Sequence, residues 1–320
     1  MKIDTHNHAI PPASIELLKR NPVYNSQVRD NRIYNDGQPA FDLIPAFVTA
    51  QGKLAELRKF GLDAAIVSSS PSLFYYEVDA DAGQAMAETV NQGLAEMCAA
   101  DTSLLHWMAT VPMQDPQRAP AMLDSAKAAG AVGVEVGTCI AGARLDEPRF
   151  EPFWAAVDRL GLPVMLHPAY NEPNGGLGPY YFQNVIGNQL ETTITVERLI
   201  ASGLLDRHPT VQLLLVHSGG YFPYQAGRYR HARTVREELA SSPADPWSYV
   251  GRQLHFDVIT HDRQALQYLI SRVGAESIVM GTDLPFDMAM TDAVQVLAEV
   301  TDAATAERIA ETNPAALFGV

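Results

Sequence analysis

The sequence predicts an α/β fold of the (β/α)8 TIM-barrel type, and three observations carry that expectation. Eight short apolar runs alternate with helix-like segments at intervals of roughly 25–45 residues. The runs are continuously apolar, as strands must be when helices cover both of their faces. No G-x-G-x-x-G follows the first run, which counts against an open doubly wound sheet. A chain of 320 residues holds eight such units with long loops inserted after strands 1 and 5. No Ser/Pro/Gly-rich linker divides it, so residues 1–320 read as one barrel domain.

Each element has a local reason. The first run, 1–5, leads into His6-Asn7-His8, and Pro11-Pro12 ends any strand there. Residues 14–50 are a long connection with a helical stretch at 14–20 and turn-rich sequence after it; a connection of that length is usually functional. A helix at 51–61 stops at Gly61, and strand two follows at 63–68. A helix at 79–100 precedes strand three, 104–111, which Pro112 halts. The pattern repeats with a helix at 115–129, strand four at 131–138 and a helix at 149–160 ended by Gly161. Strand five, 163–167, stops at Pro168, and a second long loop spans 169–183. A helix at 184–206, strand six at 211–216, a helix at 224–239, strand seven at 254–259 and a helix at 263–273 come next. Strand eight at 277–281 meets Thr282-Asp283, and helices at 291–299 and 303–317 close the chain.

Composition narrows the function. Hydrophobic residues make up 47% and charged residues 19%, which gives a globular protein with a sizeable core. No run approaches the eighteen or so apolar residues of a membrane span. A chain that opens directly on a strand is expected to lack a signal peptide. Cys98 and Cys139 lie far apart and form neither a disulfide framework nor a thiolate metal cluster, so a cytoplasmic enzyme is the default expectation. A net charge of −14 argues against nucleic acid and anionic membranes as partners.

The chemistry-bearing residues collect at strand ends. His6 and His8 end strand one, His167 strand five, His217 strand six and Asp283 strand eight. Residues two apart on a strand share a face, so His6 and His8 project together. In a barrel all strand C-termini open onto one rim, where active sites sit. Three His and one Asp form a nitrogen/oxygen set suited to Zn²⁺ with a position left for solvent or substrate. Of the other histidines, His208 and His231 lie at or in helices and read as surface residues. His106 and His255 begin strands three and seven, at the opposite rim. His261, just past strand seven, stands at the active rim and is expected to support a ligand from behind.

The motifs DTHNH at 4–8, LHP at 166–168, HSGGYFPYQAGR at 217–228 and GTDLPF at 281–286 resemble the amidohydrolase superfamily. Within it they look most like the branch of 2-amino-3-carboxymuconate-6-semialdehyde decarboxylase. TVPMQDP at 110–116, the helix at 191–209 and THD at 260–262 extend the likeness over nearly the whole chain. The resemblance implies Zn²⁺, or another divalent ion such as Mn²⁺, on His6, His8, His167 and Asp283. It implies His217 as an acid/base group beside the metal, with Asp283 able to share in proton transfer. An imidazole, with an ordinary pKa of about 6.5, suits that task at neutral pH. The branch mostly releases CO₂ non-oxidatively from small unsaturated or aromatic carboxylates, and it commonly works as homodimers. Arg228 matches an arginine that reaches the partner subunit's site, Arg236 a second basic position, and Tyr170 and Phe222 fall in motifs facing substrate. The alternative is a hydrolase or hydratase for an amide, lactone or C–C bond at the same centre.

This chain also departs from that pattern. After Asp36-Gly37 the branch carries a substrate-gripping arginine, but here the sequence runs Gln38-Pro39-Ala40-Phe41-Asp42. Ala169 separates LHP from its aromatic, Tyr170, and His6 stands where resorcylate-type decarboxylases have Glu. The metal set is kept while the substrate grip is altered, so a less anionic or differently shaped substrate is expected.

Overall fold

In the computed structural model, which describes residues 1–35, 37–169, 176–239 and 245–320, seven parallel strands form one curled sheet. Numbered along the chain, they are β1 (Ile3–Ala9), β2 (Ala64–Ser69), β3 (Leu105–Ala109), β4 (Gly133–Gly137), β5 (Val164–His167), β6 (Leu213–Leu215) and β7 (Leu254–Phe256). Each pairs with its sequence neighbour, and helices intervene between consecutive strands, as parallel crossovers require. The alternation of side chains sorts the core. Outward residues such as Val67, Val134, Val164 and Leu213 pack under the helices. Inward residues Ile3, Ile66, Met108, Met165 and Leu214 fill the lower barrel against Phe318 of the last helix. Two residues further along the same inward faces stand Ser68, after Ile66, and His167, after Met165. The interior thus changes from apolar to polar toward the strands' C-terminal ends.

The eighth strand departs from expectation. Residues 277–284 form no regular strand but still bridge the sheet's two edges. Val279 N donates to Phe256 O at 2.9 Å on β7, while Thr5 N and His8 N of β1 donate to Met280 O (2.9 Å) and Leu284 O (2.8 Å). A ladder does not propagate because Met280 N is taken by Ile309 O, and Asp283 turns out at φ 67°. The barrel closes on a few bonds, and the segment that closes it carries Asp283.

The connection after β1 holds more structure than the sequence suggested. Helix Pro12–Arg20 is followed by an antiparallel sheet of Ser26–Arg29, Arg32–Asn35 and Gln38–Asp42, and then by helices Pro45–Val48 and Ala50–Lys59. The missed signal is Asp30-Asn31, a two-residue hairpin loop at φ 50° and 58° that pairs Arg29 with Arg32. The predicted 184–206 helix is divided into a π-turn Gln183–Gly187 and helices Asn188–Ala201 and Leu204–Arg207, broken at Gly203 (φ 71°).

Candidate metal centre

At the C-terminal rim, His6, His8, His167 and Asp283 each offer one ligand atom, and the four atoms lie within 4.8 Å of one another. All four residues are buried. The two β1 histidines lie inside the strand, since it runs on to Ala9, yet they share a face as their spacing requires. His167 ends β5, and Asp283 is delivered by the closing segment through Asp283 N to His6 O, 2.8 Å. Asp4 helps to place that segment: its carboxylate accepts Thr282 Oγ1 at 2.5 Å and Asn7 Nδ2 at 2.7 Å.

The tautomers are fixed by what lies behind each ring. His6 Nδ1 meets Asp257 Oδ2, His8 Nδ1 meets Ser69 O, and His167 Nδ1 meets Pro168 O, each at 2.8 Å. A carbonyl or carboxylate only accepts, so each Nδ1 carries the proton and each Nε2 presents a lone pair. Those three Nε2 atoms and Asp283 Oδ1 are buried with no hydrogen-bond partner. Four orphaned buried atoms converging on one point carry a heavy desolvation cost unless a cation completes them. The residues present therefore fit a divalent ion in a nitrogen/oxygen site.

The electrostatics agree. Burial pulls the His167 imidazolium well below its ordinary range, helped by the neighbouring His8, His6 and His217. Burial also lowers His8. His6 goes the other way: burial opposes its charge, but the Asp257 bond and the Asp283 and Asp257 charges outweigh that. Burial pushes the Asp283 carboxyl up, yet His217, His6 and His8 hold it well below the usual carboxylate range.

His217 adjoins the cluster. Its ring centroid is 5.2 Å from that of His6 and 5.3 Å from that of His167, and Nε2 is 3.6 Å from Asp283 Oδ2. It lies on a left-handed turn (φ 52°, ψ 47°) just past β6. Asp257 holds that turn, accepting His217 N at 2.9 Å and Ser218 N at 2.6 Å while also receiving His6 Nδ1. Gly219 follows because a Cβ there would come within 2.6 Å of the Phe256 ring.

Asp257 is the residue the sequence reading overlooked. It is fully buried immediately after β7, and its signal was a lone carboxylate inside the apolar stretch LHFDVIT. His261, expected to support a ligand, is instead exposed, and among the described residues no hydrogen bond ties it to the cluster. His208, read as a surface residue, is 6% exposed and bonds Glu151 Oε1 at 2.8 Å. Glu135 of β4 was also missed. It is fully buried 3.8 Å from His8 Nδ1, and burial raises its carboxyl well above the ordinary value.

A cavity of about 1160 Å³ opens over the centre, with His167, His217 and Asp283 among its lining residues. One wall is apolar: Phe286 sits edge-on to His8 (5.3 Å), Phe47 (5.0 Å) and Phe41 (5.8 Å). Burial pushes the Tyr75 hydroxyl, which also lines the cavity, up to about 12, so it remains a protonated donor. Three expected substrate residues do not line this cavity. Phe222 is fully buried and stacks on Phe256 (6.3 Å, 16°), because it begins a helix whose apolar face turns to the core. Arg228 is exposed on that helix, Phe222–Val235. Arg236, just past it, is also exposed and pairs with Glu238 at 2.6 Å. Tyr170 lies outside the described residues.

The sequence pattern of the family described as "Amidohydrolase" matches residues 3–320. The chain belongs to the amidohydrolase family. Among curated relatives, this amidohydrolase is 30% identical over 260 residues to the gamma-resorcylate decarboxylase of Rhodococcus jostii, covering 73% of this chain and 76% of that one. It is 24% identical over 298 residues to the 2-amino-3-carboxymuconate-6-semialdehyde decarboxylase of Dictyostelium discoideum, covering 90% and 82%. The crystal structure of 5-carboxyvanillate decarboxylase from Novosphingobium aromaticivorans, complexed with manganese and 4-hydroxy-3-methoxy-5-nitrobenzoic acid, superposes with a TM-score of 0.85. Identity to it is 20%, covering 100% of this chain and 96% of that one. Fold and family thus bear out the barrel expected from the alternating runs.

Proposed function

We propose that this amidohydrolase is a metal-dependent, non-oxidative decarboxylase of a small aromatic or unsaturated carboxylate. The observation that carries the reading is the convergence of three lone-pair-bearing Nε2 atoms and Asp283 Oδ1, without partners, on the floor of an aromatic-walled cavity. The relatives named above are decarboxylases, which favours C–C cleavage over hydrolysis at such a floor.

A divalent ion, zinc or manganese, held by His6, His8, His167 and Asp283 supplies Lewis acidity toward a substrate oxygen. This chain's own residues do the remainder. The Phe41, Phe47 and Phe286 wall excludes water and orients a flat ring above the floor. The bond between ring and carboxyl carbon breaks, its electron pair stays on the ring carbon, and CO₂ leaves. His217 Nε2 moves a proton onto that carbon, with Asp283 Oδ2 as a neighbouring station at 3.6 Å. Negative charge that develops on the ring is stabilised by dipoles already in place, which is where most of the rate enhancement arises. Arg228, exposed on helix Phe222–Val235, fits a homodimer in which it meets the reacting carboxylate in the partner subunit's site. Cys98 is a free, buried thiol, in keeping with a reducing cytoplasm, and no helix among the described residues is long and apolar enough to cross a membrane.

The test is CO₂ release from a panel of hydroxybenzoates and muconate semialdehydes, before and after chelation. Release that chelator abolishes and Mn²⁺ or Zn²⁺ restores is expected. Turnover indifferent to metal removal, or product carrying solvent ¹⁸O with no carbon lost, would sink the reading.

A further inference from the structure

We infer that the cavity takes a flat acid with a single carboxylate and uncharged hydrogen-bond-donating ring substituents, and that it discriminates against dicarboxylates. The inference rests on the decarboxylase reading only in placing the one carboxylate at the metal end. It concerns what the other end of the cavity tolerates.

Among the described residues, Arg32 is the only lysine or arginine lining the cavity. The residues outside the description, 36, 170–175 and 240–244, contain no lysine or arginine, and Arg228 of the partner subunit, on the homodimer reading above, is taken by the reacting carboxylate at the metal end. Arg32 is also not at liberty. It stands directly across the antiparallel register from Asp42, donating through Nε to Oδ1 at 2.5 Å and through Nη2 to Oδ2 at 2.9 Å. This two-point fork is the strongest geometry a guanidinium makes with a carboxylate. Asp42 lies in the very stretch where the sequence lacks the substrate-gripping arginine. Asp42 puts an anion in that stretch, and that anion occupies the Arg32 guanidinium.

Glu77 and Asp287 add two further carboxylates to the lining, both exposed. Away from the metal floor the described residues give one positive group, Arg32, against three negative ones, Asp42, Glu77 and Asp287. A second substrate carboxylate brought there gains no unpaired cation and meets like charge. A hydroxyl or amino group meets acceptors instead. Ser26 Oγ shares hydrogen bonds with the Tyr75 hydroxyl at 2.7 Å and Asn35 Oδ1 at 2.8 Å, a network a small donor can join. A site built around such donors also rejects ligands that leave its polar groups unpaired.

The experiment measures binding, not turnover. The metal-loaded enzyme is titrated calorimetrically with 4-hydroxybenzoate and with 4-hydroxyisophthalate, which differ by one carboxylate. The monocarboxylate is expected to bind at least about tenfold tighter. Asp42→Ala, and separately Asp42→Asn, releases Arg32 and should narrow that ratio or reverse it. Arg32→Ala in the Asp42→Ala background should restore the preference. Equal affinity for the two acids in the wild type overturns the inference, as does a ratio that the Asp42 variants leave unchanged, or failure of both acids to bind. Equal affinity with CO₂ still released overturns the charge selection alone. A preserved ratio without CO₂ release overturns the decarboxylase reading alone.

Discussion

Histidines stand at both ends of this barrel, and the two ends use them differently. At the C-terminal end, His6, His8 and His167 each give Nδ1 to a fixed acceptor and keep Nε2 without a partner, all aimed at one place with Asp283. At the N-terminal end, His255 on β7 is 9% exposed and its Nε2 meets Gln212 Oε1 at 2.8 Å. Its Nδ1 also lacks a partner, but it stands alone. Among the described residues, the only group of three or more His, Cys, Asp or Glu donors gathered this tightly is the one at the C-terminal end. A buried imidazole with one orphaned nitrogen is common enough to mean little. Convergence of several orphaned lone pairs is what separates a ligand from a core residue.

The largest expected effect breaks the C-terminal set. His167→Ala removes one lone pair and the ring that contacts both β1 histidines, at centroid distances of 5.2 Å to His6 and 5.1 Å to His8. Loss of Lewis acidity forfeits several kcal/mol of transition-state stabilisation, roughly a thousandfold or more in CO₂ release. Metal content by elemental analysis should fall with it. A variant that keeps a full equivalent of metal and wild-type turnover would show that His167 is no ligand.

A smaller effect is expected at the other rim, and it appears in stability instead of rate. Burial holds the His255 imidazole down at about 4, against 6.5 for the free side chain. Between those two values the unfolded chain binds a proton that the folded chain refuses. Stability is therefore fully present above pH 6.5 and is lost as pH falls toward 4. The shift corresponds to about 3 kcal/mol. His255→Gln, which keeps an amide beside Gln212, should lose about that much less than wild type when urea unfolding is compared at pH 7 and pH 4. Parallel pH profiles for the two proteins would show that His255 does not titrate as its burial demands.

The contrast between the rims also marks what the sequence could convey. The convergence was legible because barrel topology sends every strand's C-terminus to one rim, so position at the end of an apolar run was enough to gather His6, His8, His167, His217 and Asp283. Nothing comparable tells which way a helix faces. Phe222 and Arg228 lie in one motif, yet the helix buries the first against Phe256 and exposes the second. The Arg32–Asp42 fork was hidden for another reason: it depends on the register of a small sheet whose strands span only four and five residues. Strands that short, half exposed and interrupted by Pro39, show little periodicity from which register could be read.

Asp257 separates the two kinds of legibility, and it gives the smallest and sharpest of the expected effects. It is fully buried, is not among the residues lining the cavity, and is not one of the four in the cluster. It acts through others, fixing the His6 tautomer with one oxygen and clamping the His217–Ser218 turn with both. Asp257→Asn keeps the volume but replaces one acceptor oxygen with a donor. Whichever way the amide turns, either His6 Nδ1–H or the Ser218 amide then faces an N–H. Supporting carboxylates of this kind are worth about 10–100-fold in metal affinity, so competition with a chelator should read a loss in that range. Because the His217 turn loosens as well, kcat should fall even at saturating metal, while KM changes little. A purely structural role would lower the melting temperature of the metal-free protein and leave both the affinity and kcat of the reloaded enzyme at wild-type values. That pattern would assign Asp257 to the barrel and remove it from the centre.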